Sequence, residues 1–235
     1  MLGSSNSIAC ANIMLNTAVA ESLRLYADRL QEADDFKATL HAMIRETIKE
    51  HKRIIFNGNG YDEKWIQEAT QKRGLHNYPT TPDCIPHLLD PKNVKMLTLH
   101  KVYSVEELKS RYEITLENYC KTVMIEANTM VDMANTQIAP AVSSYCADLA
   151  RAAAAKKAWD PALTCGYETD LVRKLATLPD KIVLQADKLK SAVISLEEAP
   201  DIGAESILIR DNVLKLMQEL RQVCDEAETL TAKSY

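Results

Sequence analysis

The sequence predicts an all-α protein, a multi-helix bundle with a long kinked helix and a C-terminal antiparallel coiled-coil hairpin. Two features of the composition favour this class: the 235 residues include only 6 glycines and 8 prolines, and aromatic residues make up 6%. Sandwiches and barrels need many turns, and turns need glycine and proline. The third observation is periodicity, because apolar residues recur at intervals of three and four along most of the chain, which is the spacing of one helix face. We find no convincing strand pattern.

The first third of the chain predicts two long helices and a short one. The first runs from Ile8 to about Glu32, with Ser5 or Ser7 as its cap. Its apolar stripe consists of Leu15, Val19, Leu23, Tyr26 and Leu30. A second helix is predicted from Asp35 to Ile55, where the asparagines and glycines of residues 57–60 end it. Asp62 then begins a short helix that stops near Gly74.

The middle of the chain predicts a proline-rich loop followed by a very long helix. Four prolines lie within residues 77–91, with short helices beginning at Thr81 and near Asn93. Ser104 and Glu107 form a capping box at the start of the long helix. At 1.5 Å per residue, residues 105–159 would extend roughly 80 Å, whereas a compact globule of this size is about 45 Å across. The helix must therefore break or protrude, and Pro140 is the obvious place for a break. We predict one helix to about Ala139 and a second from Ala141, with a single kinked rod as the alternative.

The last third predicts a helical hairpin over about residues 168–232. Apolar residues step by three and four from Leu171 to Leu196, and again from Ile209 to Leu230. A regular average spacing of 3.5 residues is typical of a coiled-coil seam. The short turn around Pro200 and Gly203 favours antiparallel pairing of the two arms.

Charge and hydropathy argue against several partners. The net charge of −5 gives no electrostatic reason to expect nucleic-acid binding, and no apolar run is long enough for a membrane span. The first residues lack the pattern of a signal peptide, so we expect a cytoplasmic protein without a membrane or nucleic-acid partner. The six cysteines lie at least 19 residues apart, and we interpret them as free thiols.

No spacing of residues predicts an active site. Gly58-Asn59-Gly60 lacks the lysine of a phosphate loop and is better read as a helix end. The histidines form no metal-binding pair, and we assign no catalytic, cofactor-binding or metal-binding residue. The apolar stretch around Met124, Met130 and Met133 is either core or a partner interface. The candidate interface residues are those three methionines together with Leu216, Leu220 and Val223 of the last arm.

Several dispersed stretches nevertheless carry a family resemblance. GSSNSI at residues 3–8 and NIMLNTAVAES at 12–22 resemble the end of the catalytic domain of type III glutamine synthetases. The segments FNGNGY at 56–61, RGL at 73–75, SRYE at 110–113, ENYCKT at 117–122, IEA at 125–127, MVDMA at 130–134 and QIAPAV at 137–142 resemble their helical C-terminal extension. The family usually has Pro-Asn-Thr where this chain has Ala11-Asn12-Ile13.

The resemblance implies ATP-dependent joining of ammonia to glutamate through a γ-glutamyl phosphate, in ring assemblies that use ATP and Mg. It also implies that the catalytic residues precede this segment, so none is transferred to it. We expect residues 1–34 to be the end of the catalytic domain and residues 35–235 to be a helical C-terminal domain. The expected partners are the rest of the glutamine synthetase polypeptide and neighbouring subunits of a homo-oligomer.

Three functions remain open at this point. The chain could be a part of a glutamine ligase that is inactive alone, with a role in assembly and in support of the catalytic domain. It could be a stand-alone helical adaptor that binds a partner through its coiled-coil arms. It could also be an enzyme whose acids or histidines converge from different helices.

Overall fold

A computed structural model describes residues 7–235, and the regular structure within that range is entirely helical. The prediction of an all-α protein is confirmed. Ser5 lies outside the described residues, and the N-cap position of α1 is Ile8 rather than Ser7, although the Ser7 hydroxyl accepts a hydrogen bond from the Ala9 amide at 3.2 Å. The chain forms two compact units, the first ending at Tyr112 and the second beginning at Glu113. The predicted boundary after residue 34 stays a prediction.

Five α-helices with irregular connections precede the long helix in residues 7–104 of the first unit. They are α1 (Ala9–Gln31), α2 (Phe36–Glu50), α3 (Glu63–Gln67), α4 (Thr81–Cys84) and α5 (Pro91–Leu99). The side chains of Asp35, Asp62 and Thr80 accept backbone N–H bonds at the starts of α2, α3 and α4. A π turn over Glu68–Lys72 extends α3, and Gly74, with φ of +63°, follows it in a conformation that suits glycine.

The core of the first unit is small. Leu97, Tyr103 and Leu108 form its buried centre, and Ile13 and Met14 of α1 pack against them. The contact between α1 and α5 also includes an ion pair, in which His100 Nε2 lies 2.8 Å from Glu21 Oε2. One face of the first helix is therefore anchored to the rest of its unit.

The long helix continues past the proline that was predicted to break it. Its parts are α6 (Val105–Met133), a π turn (Ala134–Ile138) and α7 (Ala139–Trp159). The capping box is confirmed, since the Ser104 amide donates to Glu107 Oε2 at 2.7 Å and the Glu107 amide donates to Ser104 Oγ at 3.1 Å. Of the two predicted forms, two helices divided at Pro140 or a single kinked rod, the structure has a single long helix. The wider π turn lies just before Pro140, where the proline removes one backbone donor from the helix.

The second unit packs the arms of the predicted hairpin against α7. Its further helices are α8 (Gly166–Leu175), α9 (Leu178–Ser195), α10 (Ile202–Leu208) and α11 (Leu214–Leu230), with a π turn over Ile209–Val213. Helix α9 packs against α11, while α8 and α9 pack against α7. Both predicted apolar stripes supply buried residues: Leu175, Leu178, Ile182, Leu189, Ile209, Val213, Leu220 and Ala227. They form one core with residues of α6 and α7, such as Ala127 and Val142. The coiled-coil seam itself stays a prediction.

Candidate contact surfaces

A groove in the second unit brings together three of the six predicted interface residues. Met130, Met133 and Leu220 line this methionine groove, which has a volume of about 950 Å³. Its walls come from the end of α6, the following π turn, the start of α7 and the face of α11. π turns often occur at functional sites, and here Gln137 and Ile138 of the turn line the groove.

The six predicted residues differ in how far they are available to a partner. Leu220 is only 1% exposed and belongs to the core, whereas Met133 is 42% exposed. Met124, Met130, Leu216 and Val223 are partly buried and pack against the core of their own unit. The structure thus places Met133 as the most accessible of these side chains. The interface role of the set stays a prediction.

Charged and aromatic groups surround the methionine groove. Arg221 Nε donates to Asp225 Oδ1 at 2.6 Å, and this bond raises the pKa of the guanidinium. The Tyr235 hydroxyl donates to the Asp148 carboxylate, and its ring centroid lies 5.2 Å from that of Tyr145. Burial raises the pKa of the Cys224 thiol, which disfavours the nucleophilic thiolate. The groove thus combines apolar side chains with charged groups along its lining.

The first half of α1 presents a second surface that sequence analysis only partly foresaw. Leu15, Val19 and Leu23 are 66%, 57% and 61% exposed, so the predicted stripe lies open. No charged residue occurs from Ser7 to Ala20. A helix with an apolar stripe normally buries that stripe against other elements. The missed signal was the absence of charge rather than the stripe itself.

A basic pocket in the first unit was also missed. Ile48, Lys49, Lys52, Arg53, Ile55 and Arg73 line a space of about 670 Å³. Arg73 links the segments that line the pocket, because its Nη1 donates to the carbonyls of Arg53 and Ile55 at 3.2 and 2.8 Å. The Arg73 guanidinium also stacks over Trp65, whose ring stacks on Phe56 at 3.8 Å. The basic cluster of residues 49–53 was the signal available in the sequence.

No group suited to a metal ion occurs in the described part of the chain. Among residues 7–235, no three histidine, cysteine or carboxylate side chains come together as ligands. The residues present therefore do not fit the Mg site that the family resemblance implies, and we assign no step of ligation to them. Within the same range, no helix has both the length and the apolar character that crossing a bilayer requires.

The architecture and the surfaces characterise this protein as an all-helical domain with open apolar faces. The family follows from comparison with known proteins. The sequence model described as the glutamine synthetase C-terminal domain matches residues 39–157. The chain belongs to this family.

Known relatives extend the match over most of the chain. A glutamine synthetase of Butyrivibrio fibrisolvens is 33% identical over 202 residues, which cover 86% of this chain and 29% of that protein. A type-3 glutamine synthetase of Dictyostelium discoideum is 28% identical over 241 residues, which cover 97% of this chain and 32% of that protein. A glutamine synthetase of Bacteroides fragilis is 34% identical over 147 residues, which cover 61% of this chain and 20% of that protein. The resemblance to type III enzymes is confirmed, and the chain spans a third or less of each relative.

Proposed function

We propose that this chain acts as the helical C-terminal part of a type III glutamine synthetase. In the full enzyme it would serve oligomer assembly and support the catalytic domain, while ATP and Mg would bind elsewhere in the polypeptide. Alone, the chain would not ligate glutamate and ammonia. The proposal includes a cytoplasmic location.

One observation carries the proposal beyond family membership, namely the open apolar stripe of α1, whose first two positions, Leu15 and Val19, lie in a stretch without charge. Leu15, Val19 and Leu23 would each gain free energy from burial, on the order of 1–2 kcal/mol. The opposite face of α1 packs through Ile13 and Met14 onto the core of its unit. A partner can thus cover the stripe without unfolding the helix. The partner that suits an apolar stripe is the apolar surface of the catalytic domain.

The test is binding between the chain and a separately expressed catalytic portion of the Butyrivibrio relative. We expect a stable complex by light scattering and ligase activity in the mixture but not in the chain alone. The variant L15E/L23E should weaken the complex at least about tenfold, because it places carboxylates in the covered stripe. The matched control is L184E, at a leucine of α9 that is 56% exposed.

Each result has a definite consequence. Equal weakening by L15E/L23E and L184E would contradict the role of α1. Failure of the wild-type chain to bind the catalytic portion would favour the alternative function, a stand-alone helical adaptor. Glutamine formation by the chain alone would contradict both functions.

A further inference from the structure

The basic pocket of the first unit includes a surface that is open to a charged partner. We call Ile48, Lys49, Lys52, Arg53 and Ile55 the basic face. Its two isoleucines are about half exposed. Lys49, Lys52 and Arg53 form no ion pair within 4 Å among residues 7–235, although Arg53 Nη1 donates to the Gly74 carbonyl at 3.4 Å.

The nearby acids neutralise this face only in part, since Glu46 interacts electrostatically with Lys49 but forms its hydrogen-bonded ion pair with Arg29. Glu46 is paired with Arg29 at 2.7 Å, and Glu68 with Arg73 at 2.6 Å. Glu50 is the one acid within residues 49–53, which contain three cations. The face therefore has net positive charge beside apolar side chains, in a frame fixed by the four hydrogen bonds of Arg73.

A complementary surface occurs in the same chain, around the turn between α9 and α10. We call residues 194–208 the acidic turn. It contains Glu197, Glu198, Asp201 and Glu205 but no lysine or arginine. Glu197, Glu198 and Asp201 are exposed, and no ion pair to them occurs within the described chain. Ile194, Ile207 and Leu208 are exposed beside them.

We propose that the basic face of one copy of this chain binds the acidic turn of a second copy. The inference rests on the assembly role proposed above and names the surfaces that would perform it. Opposite charges would steer the two surfaces together, and burial of the exposed isoleucines would stabilise the contact. Because the two surfaces are different, the contact is heterologous and can extend to a closed ring.

Charge reversal of the full chain tests this contact. We expect the wild type to self-associate in sedimentation velocity as concentration rises. The variants K49E/K52E and E197K/E198K should each raise the dissociation constant at least about tenfold. The control K188E/K190E makes the same charge change at exposed lysines of α9 and should have little effect.

Mixing the two variants is the decisive measurement. Each variant then meets a surface of opposite charge on the other, so association should return to near the wild-type level. No rescue on mixing, equal loss in K188E/K190E, or a wild type that stays monomeric would each overturn the inference. Binding to the catalytic portion is measured separately through Leu15 and Leu23, so failure here would leave the support of the catalytic domain standing and would count only against the assembly role.

Discussion

Arg73 connects more of the first unit than any neighbouring side chain of its loop. Nε and Nη2 donate to Glu68 at 2.9 and 2.6 Å, while Nη1 donates to two carbonyls of residues 53–55. We expect R73A to lower the free energy of unfolding of this unit by about 2–3 kcal/mol, since it removes charged hydrogen bonds to two segments. R73K should recover less than half of this loss, because an ammonium cannot reproduce the planar fork.

The measurement is urea unfolding followed by Trp65 fluorescence, in a background where the exposed Trp159 is replaced by phenylalanine. K72A is the matched control, since Lys72 is exposed and adjacent in sequence. Similar losses in R73A and K72A would contradict the role assigned to Arg73.

Glu21 makes the contact between α1 and α5 sensitive to acid. Its hydrogen bonds to Arg24 and His100 lower its pKa from 4.5 to about 2. A carboxyl whose pKa is lowered by folding stabilises the protein above its unfolded pKa, and this contribution is lost as pH falls through the folded value. The stability difference between wild type and E21Q should therefore be full at pH 7, shrink below about 4.5 and vanish near 2.

Urea midpoints measured across this pH range test the prediction. E32Q removes an exposed carboxylate of the same α1–α2 region and provides the comparison. A difference between wild type and E21Q that stays constant with pH would count against the contact.

At the scale of elements, sequence patterns placed the helices well because each pattern is local. The capping box at Ser104 and the cap at Asp62 require only residues within one turn, and both were predicted. The convergence of side chains from distant segments was harder to predict. The methionine groove combines residues around 130–142 with residues around 220–235, and nothing in the sequence fixes that register. The apolar stripe of α1 was predicted, but what covers it was not, because periodicity identifies an apolar face without saying what packs against it.

The π turn before Pro140 is the clearest case in which an element departs from its pattern. In a regular helix, proline costs about 3 kcal/mol relative to alanine. Because the π turn already relieves part of this conflict, P140A should raise the free energy of unfolding by less than about 1 kcal/mol. Chemical unfolding measures the change, and P179A, near the start of α9, provides a proline control. A gain near the full cost would mean that the π turn does not accommodate the proline.

At the scale of the whole molecule, the two units differ in how much apolar surface they enclose. The first is built around Leu97, Tyr103 and Leu108, whereas the core of the second extends from Cys120 to Ala227. Stability follows buried apolar area, and separate compact units can unfold separately. We therefore expect two thermal transitions, with the first unit unfolding at the lower temperature.

Trp65 assigns the lower transition, since it lies in the first unit, whereas Trp159 lies in the second unit and is already 83% exposed. The fluorescence of W159F should therefore follow only the lower transition, while far-UV circular dichroism follows both. A single transition at the same temperature by both measurements would contradict independent units.

The same experiment connects stability to the proposed function. A ligand that binds only the folded state stabilises it by about 2.7 kcal/mol at a hundred times its dissociation constant. The catalytic portion is proposed to cover α1, which belongs to the first unit, so its addition should raise the lower transition and leave the upper one unchanged. L15E/L23E should abolish this rise, whereas L184E should preserve it. A rise in the upper transition alone would instead place the catalytic contact on the second unit, where the methionine groove lies.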